Sequence, residues 1–148
     1  MGMASARWQF WRRKPALLWR TRVERERAAI GRFNDEVQRK LDGKVPAHVV
    51  HDLLVAFDEL LTNVVMHAEQ AAGPIDVELQ RGRKAVCVTI RYLAAEFDPT
   101  TWRVAPAGMT IATSRIGGLG IQLVRRLMDD FTYEYVDGHN VLNIAKHC

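Results

Sequence analysis

Apolar positions along the chain keep two different periods, and the change from one to the other marks the elements. Residues 16–22, Ala-Leu-Leu-Trp-Arg-Thr-Arg, read as a first strand at a sheet edge. From Val23 to Leu41 the apolar residues Ala29, Ile30, Phe33, Val37 and Leu41 recur at helical spacing among Glu and Arg, with Gly43 as a stop signal. Pro46 opens a second helix to about Glu69, with a stripe of Val50, Leu53, Leu54, Phe57, Leu61, Val64, Val65 and Ala68, and Gly73-Pro74 is expected to end it. The period then drops to two. Val77 and Leu79 alternate with charges in a strand from Ile75 to Arg81, and Val86, Val88 and Ile90 alternate with Cys87, Thr89 and Arg91 in a strand from Ala85 to Tyr92. One face of this hairpin is expected to be buried and the other more polar. Residues 93–116 keep no period, and a loop that long favours a functional segment over a passive connection. Gly117-Gly118-Leu119-Gly120 leads into a helix from Ile121 to Met128, and strands Phe131–Val136 and Asn140–Lys146 flank an Asp137-Gly138 turn.

The predicted order is strand, two helices, hairpin, long loop, helix, hairpin. Helices grouped on one face of a mostly antiparallel sheet pack this order most economically, which gives an α+β two-layer sandwich. At 148 residues with 48% hydrophobic and 26% charged residues, the chain has the size and composition of one globular domain, expected over 16–148 behind an arm at 1–15. The net charge of +4 hides an asymmetry, because the first 22 residues carry six basic residues and no acid, leaving 15 basic against 17 acidic in the other 126. The basic arm interleaves Trp8, Phe10 and Trp11 with arginine. Such a segment can fold back on its own domain or meet an anionic membrane, RNA or an acidic protein. The mildly acidic body argues against direct nucleic-acid binding. Cys87 and Cys148 are too few for a disulfide framework, and no apolar run reaches the length of a transmembrane segment, so a cytoplasmic protein is expected.

Candidate chemistry lies in two places. Glu59, Asn63 and His67 are spaced four apart, so they share one ridge of the second helix. An amide oxygen is a hard ligand for Mg²⁺, and a carboxylate one turn away can accept a proton from water or a hydroxyl. A solvated polar face would show the same spacing. Gly117, Gly118 and Gly120 open a helix after a long loop, where free N–H groups and the helix dipole can receive an anion, although a hinge or packing contact also uses such glycines.

Phe57-Asp58-Glu59-Leu60-Leu61-Thr62-Asn63-Val64-Val65-Met66-His67-Ala68 resembles the N box of the Bergerat-fold ATPases shared by gyrase and the histidine kinases, the GHKL superfamily. Ile116-Gly117-Gly118-Leu119-Gly120-Ile121-Gln122-Leu123-Val124-Arg125-Arg126-Leu127-Met128-Asp129 resembles the last glycine box of its bacterial anti-sigma factor branch, the serine/threonine protein kinases of RsbW and SpoIIAB type. Glu96-Phe97-Asp98-Pro99 is similar to that branch's Phe-Asp-Pro, and Asn140-Val141-Leu142-Asn143-Ile144 to its closing strand, so the resemblance covers roughly residues 16 to 147.

The resemblance implies ATP and Mg²⁺ as cofactors. Asn63 would hold the metal against the phosphates, Glu59 would be the catalytic general base, and Gly117, Gly118 and Gly120 would cradle phosphates. Residues 100–116 would form the ATP lid with Arg115 near the terminal phosphate, and His67 and Asp98 would complete the nucleotide site. In one respect the chain departs from the family: Tyr92 and Ala94 stand where an Asp-x-Gly receives the adenine amino group. Loss of that polar contact costs roughly 1.5–3 kcal/mol, or about 10- to 100-fold in affinity. Implied partners are a sigma factor, a STAS-domain antagonist phosphorylated on serine, and a second copy of the chain in a homodimer using the first strand and first helix. Two functions therefore stand side by side: an ATP-dependent serine kinase that sequesters a sigma factor, with water as a possible alternative acceptor at Glu59, and a degenerate protein-binding module that no longer uses ATP.

Overall fold

The computed structural model describes residues 16–101 and 118–148. Five strands, β1 (Ala16–Val23), β2 (Ala72–Arg81), β3 (Ala85–Leu93), β4 (Asp130–Val136) and β5 (His139–His147), form one sheet in the order β1-β2-β3-β5-β4, antiparallel at every junction. Three helices, α1 (Arg27–Leu41), α2 (Ala47–His67) and α3 (Gly118–Leu127), pack with it, and a 3₁₀ turn spans Pro99–Thr101. The α+β two-layer architecture expected from the pattern is the one observed.

The apolar stripes meet as their periods require. Ile30, Phe33, Val37 and Leu41 of α1 and Leu53, Phe57, Leu60, Leu61 and Val64 of α2 share one core with Val77, Leu79, Val86, Val88, Ile90, Leu142 and Ile144 of the sheet. Rings connect the layers. Trp19 of β1 stacks on Phe33 with centroids 5.7 Å apart, and Phe33 meets Phe57 edge to face at 5.1 Å. Lys40 lies 4.9 Å over the Trp19 ring and closes that corner. Val124 of α3 is fully buried beside α2, so the glycine-led helix is anchored by its own stripe.

Several boundaries differ from those the pattern predicts. The first helix begins at Arg27, because Val23 is buried as the last residue of β1, paired with Ile75. The second helix stops at His67, and Gly73-Pro74 lies inside β2. Gly73 has φ +74 within an irregularity between Ala72 and Asp76, so the residues that look like a helix stop instead bend a strand. Val49, Ala56 and Leu60 are buried on α2, whereas Leu54, Val65 and Ala68 are only partly covered. Cys87, expected on the more polar face, is 1% exposed between Gln80 and Ala145 in mid-sheet. Burial first, then the charges of Asp130 and Cys148, pushes its thiol up to about 12, which leaves it protonated and unreactive. β1 is an edge strand as predicted, and Asp137-Gly138 forms a two-residue hairpin turn with φ +50 and +77, the left-handed pair that this turn type needs.

Lys146 fastens α3 to the rest of the domain. Its ammonium donates to the Leu127 carbonyl at the end of α3, 2.6 Å away, and lies 3.0 Å from Asp52 of α2. These side chains are only 17% and 19% exposed, so the pair is worth more than a surface bridge. Burial alone would raise the Asp52 pKa, but hydrogen bonds and charge from Lys146 and His51 outweigh it and leave the value below 3.8. A depressed carboxylate stabilises the fold above its unfolded value and loses that contribution as pH falls through the folded one. Lys146→Met is therefore expected to cost about 2 kcal/mol, or roughly 4–8 °C in Tm, at neutral pH. The gap from the parent protein should narrow in thermal melts taken below pH 3.8, where Asp52 is losing its charge, and the bond to the Leu127 carbonyl should account for what is left.

Candidate functional site

The second half of α2 sets one wall of a cleft. Phe57, Leu60, Leu61 and Val64 are buried and fix the rotation of the helix, which turns Asn63 and His67 toward the cleft. The facing wall is Tyr92 near the end of β3 together with Ala95, Glu96 and Phe97, and the enclosed volume is about 170 Å³. His67 and Glu69 stand exposed at its rim.

Asn63 carries the feature that asks for a ligand. Its Oδ1 is buried and accepts no hydrogen bond from any described residue, a state it shares with Asn34 Oδ1 on α1 and Thr132 Oγ1 on β4 outside the cleft. Leaving such an atom unpaired costs about 1–3 kcal/mol, and a hard cation is one partner that removes the cost. Among the described residues no group of three His, Cys, Asp or Glu could hold a metal entirely on protein ligands. Mg²⁺ does not require one, since it keeps several waters and takes one or two protein ligands beside substrate phosphates. The residues present therefore fit a Mg²⁺ that Asn63 would hold together with substrate phosphates.

Glu59 lies on the same helix but looks toward α3. Its carboxylate rests against Gly120: a methyl built there would overlap Glu59 Oε2 and stand 2.9 Å from Cδ. Burial first, and the neighbouring Asp58 charge second, raise the Glu59 pKa above 4.5, in the direction that suits a general base.

Asp98 does not line the cleft. It accepts from Thr100 N at 2.8 Å and Thr100 Oγ1 at 2.6 Å, and its carbonyl accepts from Thr101 Oγ1 at 3.0 Å, so it caps the 3₁₀ turn. Gly118 begins α3, whereas Arg115, Gly117 and most of the expected lid fall outside the described residues. Tyr92 is 5% exposed, its phenol raised well above the usual tyrosine range by burial and then by Tyr133. It therefore reaches the cleft as a neutral hydroxyl, able to donate and accept one hydrogen bond but not to supply a carboxylate. Ala94, two residues on, is buried, and its carbonyl accepts from the Tyr135 hydroxyl at 2.9 Å.

A group that sequence reasoning passed over holds this wall in place. Asn140 is fully buried; its Oδ1 accepts from Phe97 N at 3.0 Å and the Tyr133 hydroxyl at 2.6 Å, and its Nδ2 donates to the Ala95 carbonyl at 3.0 Å. The signal was present: Asn140 shares the inward parity of Leu142 and Ile144, and a polar residue at such a position needs partners.

The family model described as histidine kinase-like ATPase domain matches residues 20–146. The serine/threonine-protein kinase BtrW of Bordetella bronchiseptica is 32% identical over 97 residues, covering 64% of this chain and 68% of that protein. The serine-protein kinases RsbW of Listeria innocua and Listeria monocytogenes are each 33% identical over 99 residues, 63% of this chain and 63% of theirs, so the chain spans less than two thirds of their length.

Proposed function

Because the chain belongs to the histidine kinase-like ATPase domain family, in its RsbW-type branch, we propose that it binds Mg·ATP in the α2–β3 cleft and transfers the terminal phosphoryl group to a serine of a STAS-type antagonist protein. In its other state it would sequester a sigma factor. The observation that carries this reading is Asn63, a cleft-wall residue whose buried Oδ1 has no hydrogen-bond partner among the described residues, one helical turn from a carboxylate of raised pKa.

Each residue then has a role set by its chemistry. Asn63 Oδ1 is the protein ligand that would hold Mg²⁺, which when bound supplies neutralising charge between the phosphates. Glu59 accepts the proton of the serine hydroxyl as that oxygen attacks, and water is the alternative acceptor at the same carboxylate. The free N–H groups in the first turn of α3, at Gly118 and Gly120, favour phosphate oxygens, and His67 at the rim is a further polar contact. Tyr92 replaces the adenine-binding aspartate of the family with a neutral hydroxyl, so affinity for the base is expected to be reduced while the phosphate end is retained.

Calorimetric titration with Mg·ATP tests the reading. Saturable binding by the parent protein is expected, weakened about 10- to 100-fold in Asn63→Ala, which removes the one ligand atom without disturbing the buried stripe of α2. Tyr92 also favours a second reading, a protein-binding module that has given up nucleotide. Absence of binding at millimolar Mg·ATP would overturn the kinase assignment in its favour.

A further inference from the structure

Glycine at position 120 has two competing explanations. A glycine beside phosphate is usually explained by backbone approach to the ligand. The structure shows another neighbour, since the space that a side chain at 120 would fill is occupied by Glu59, whose Oε2 and Cδ crowd it while Glu59 Cβ stands 3.5 Å away. We propose that Gly120 is a positioning residue for Glu59: its missing Cβ provides the recess in which the carboxylate is held between α2 and the first turn of α3.

The inference rests on the proposed function for its consequence, because a carboxylate held there is the general base of that reading, but its geometry stands alone. α3 is anchored against moving away from a methyl. Ile121, Val124 and Met128 are buried, and Lys146 ties the Leu127 carbonyl at the end of the helix. The flexible partner is the Glu59 side chain, so a methyl at 120 would displace the carboxylate rather than the helix. Desolvation, the main cause of the raised Glu59 pKa, is consistent with a carboxyl kept in that recess.

A double-mutant cycle in Tm tests this without nucleotide. In an otherwise empty site, Gly120→Ala should stabilise α3, because alanine is the better helix former. With Glu59 present that gain should be cancelled or reversed, and in the Glu59→Ala background Gly120→Ala should raise Tm. The same shift in both backgrounds would overturn the proposal. The ¹³C resonance of the Glu59 side-chain carboxyl, assigned by its loss in Glu59→Gln, should move in Gly120→Ala toward the position of exposed glutamates, and an unchanged resonance would likewise overturn it. If the protein turns over ATP, Gly120→Ala should lower kcat by about 100-fold, the effect of a misplaced catalytic group, with little change in nucleotide KM. A rise in KM at constant kcat would show that the missing Cβ serves backbone approach to the phosphates rather than Glu59, and would overturn the proposal. A protein that binds no ATP defeats the proposed function and leaves the first two measurements decisive for Gly120.

Discussion

Glu59→Gln is expected to lower phosphoryl transfer by about 10²- to 10⁴-fold without lowering the Tm. The two effects have one cause. Burial against α3, and next the Asp58 charge, raise the Glu59 pKa above 4.5, so the folded protein holds that proton more tightly than the unfolded chain does. A carboxyl raised on folding favours the folded state as pH drops into its range and opposes it at neutral pH, where the ionised form must be kept partly desolvated. Glutamine has nearly the same shape and no charge. It removes the proton acceptor together with the electrostatic cost, so at neutral pH the variant should melt at the same temperature as the parent or above it. The difference should shrink toward acid as the parent's carboxyl becomes protonated. ADP release and thermal melts across the pH range measure both arms. The transfer rate of the parent should fall on the acid side at a pH above 4.5, and that limb should vanish in Glu59→Gln. A Tm lowered by several degrees would show instead that the carboxylate supports the fold.

The largest loss of stability is expected for Asn140→Ala, about 3–5 kcal/mol, or roughly 10 °C in Tm. Alanine removes the acceptor for Phe97 N and the Tyr133 hydroxyl and the donor for the Ala95 carbonyl, all around a side chain with no exposure. The cost includes what is left behind, because partly buried groups lose their partner in a place with little water to replace it. Tyr133→Phe separates one strand of this network. The Tyr133 phenol, pushed up to about 12 by burial and then by Glu96, keeps its proton at working pH, so the variant loses one donated bond worth about 1 kcal/mol. Asn140→Asp should do no better than alanine, since an oxygen then faces the Ala95 carbonyl and a charge is buried. Urea denaturation measures these costs. Nucleotide titration should show affinity falling with them, because Ala95 and Phe97 are cleft wall.

The reach of sequence reasoning follows from where the physics is local. The stripe of α1, Ala29 to Leu41, was legible in full because one buried face recurring every three to four residues is written in a short stretch of chain. The Asp137-Gly138 hairpin was legible for the same reason, since left-handed backbone at both turn positions selects those residue types. Glu59, Asn63 and His67 were legible as one ridge of α2 from their spacing of four, which helix geometry alone puts on a shared face, and the motif resemblance added the roles it implies for them.

What the ridge does was decided by tertiary structure. Asn63 and Glu59 are one turn apart on the same helix, yet one looks into the cleft beside Tyr92 and the other against Gly120. Only the packing of α3 and the end of β3 on either side of α2 separates them. Gly73-Pro74 bends a strand because Ala72 and Asp76 on either side of it pair with Leu93 and Arg91 of β3, a separate segment, and Asp98 caps a 3₁₀ turn because the two threonines after it fold back onto it. The sequence by itself determined the two-layer fold, its helical and strand faces and the identity of the ridge, since those depend on periods and turn residues within each segment. Tertiary structure alone decided which polar atoms are left without a partner, which glycine makes room for which carboxylate, and which buried asparagine holds the cleft wall, because each depends on contacts between segments that no local pattern encodes.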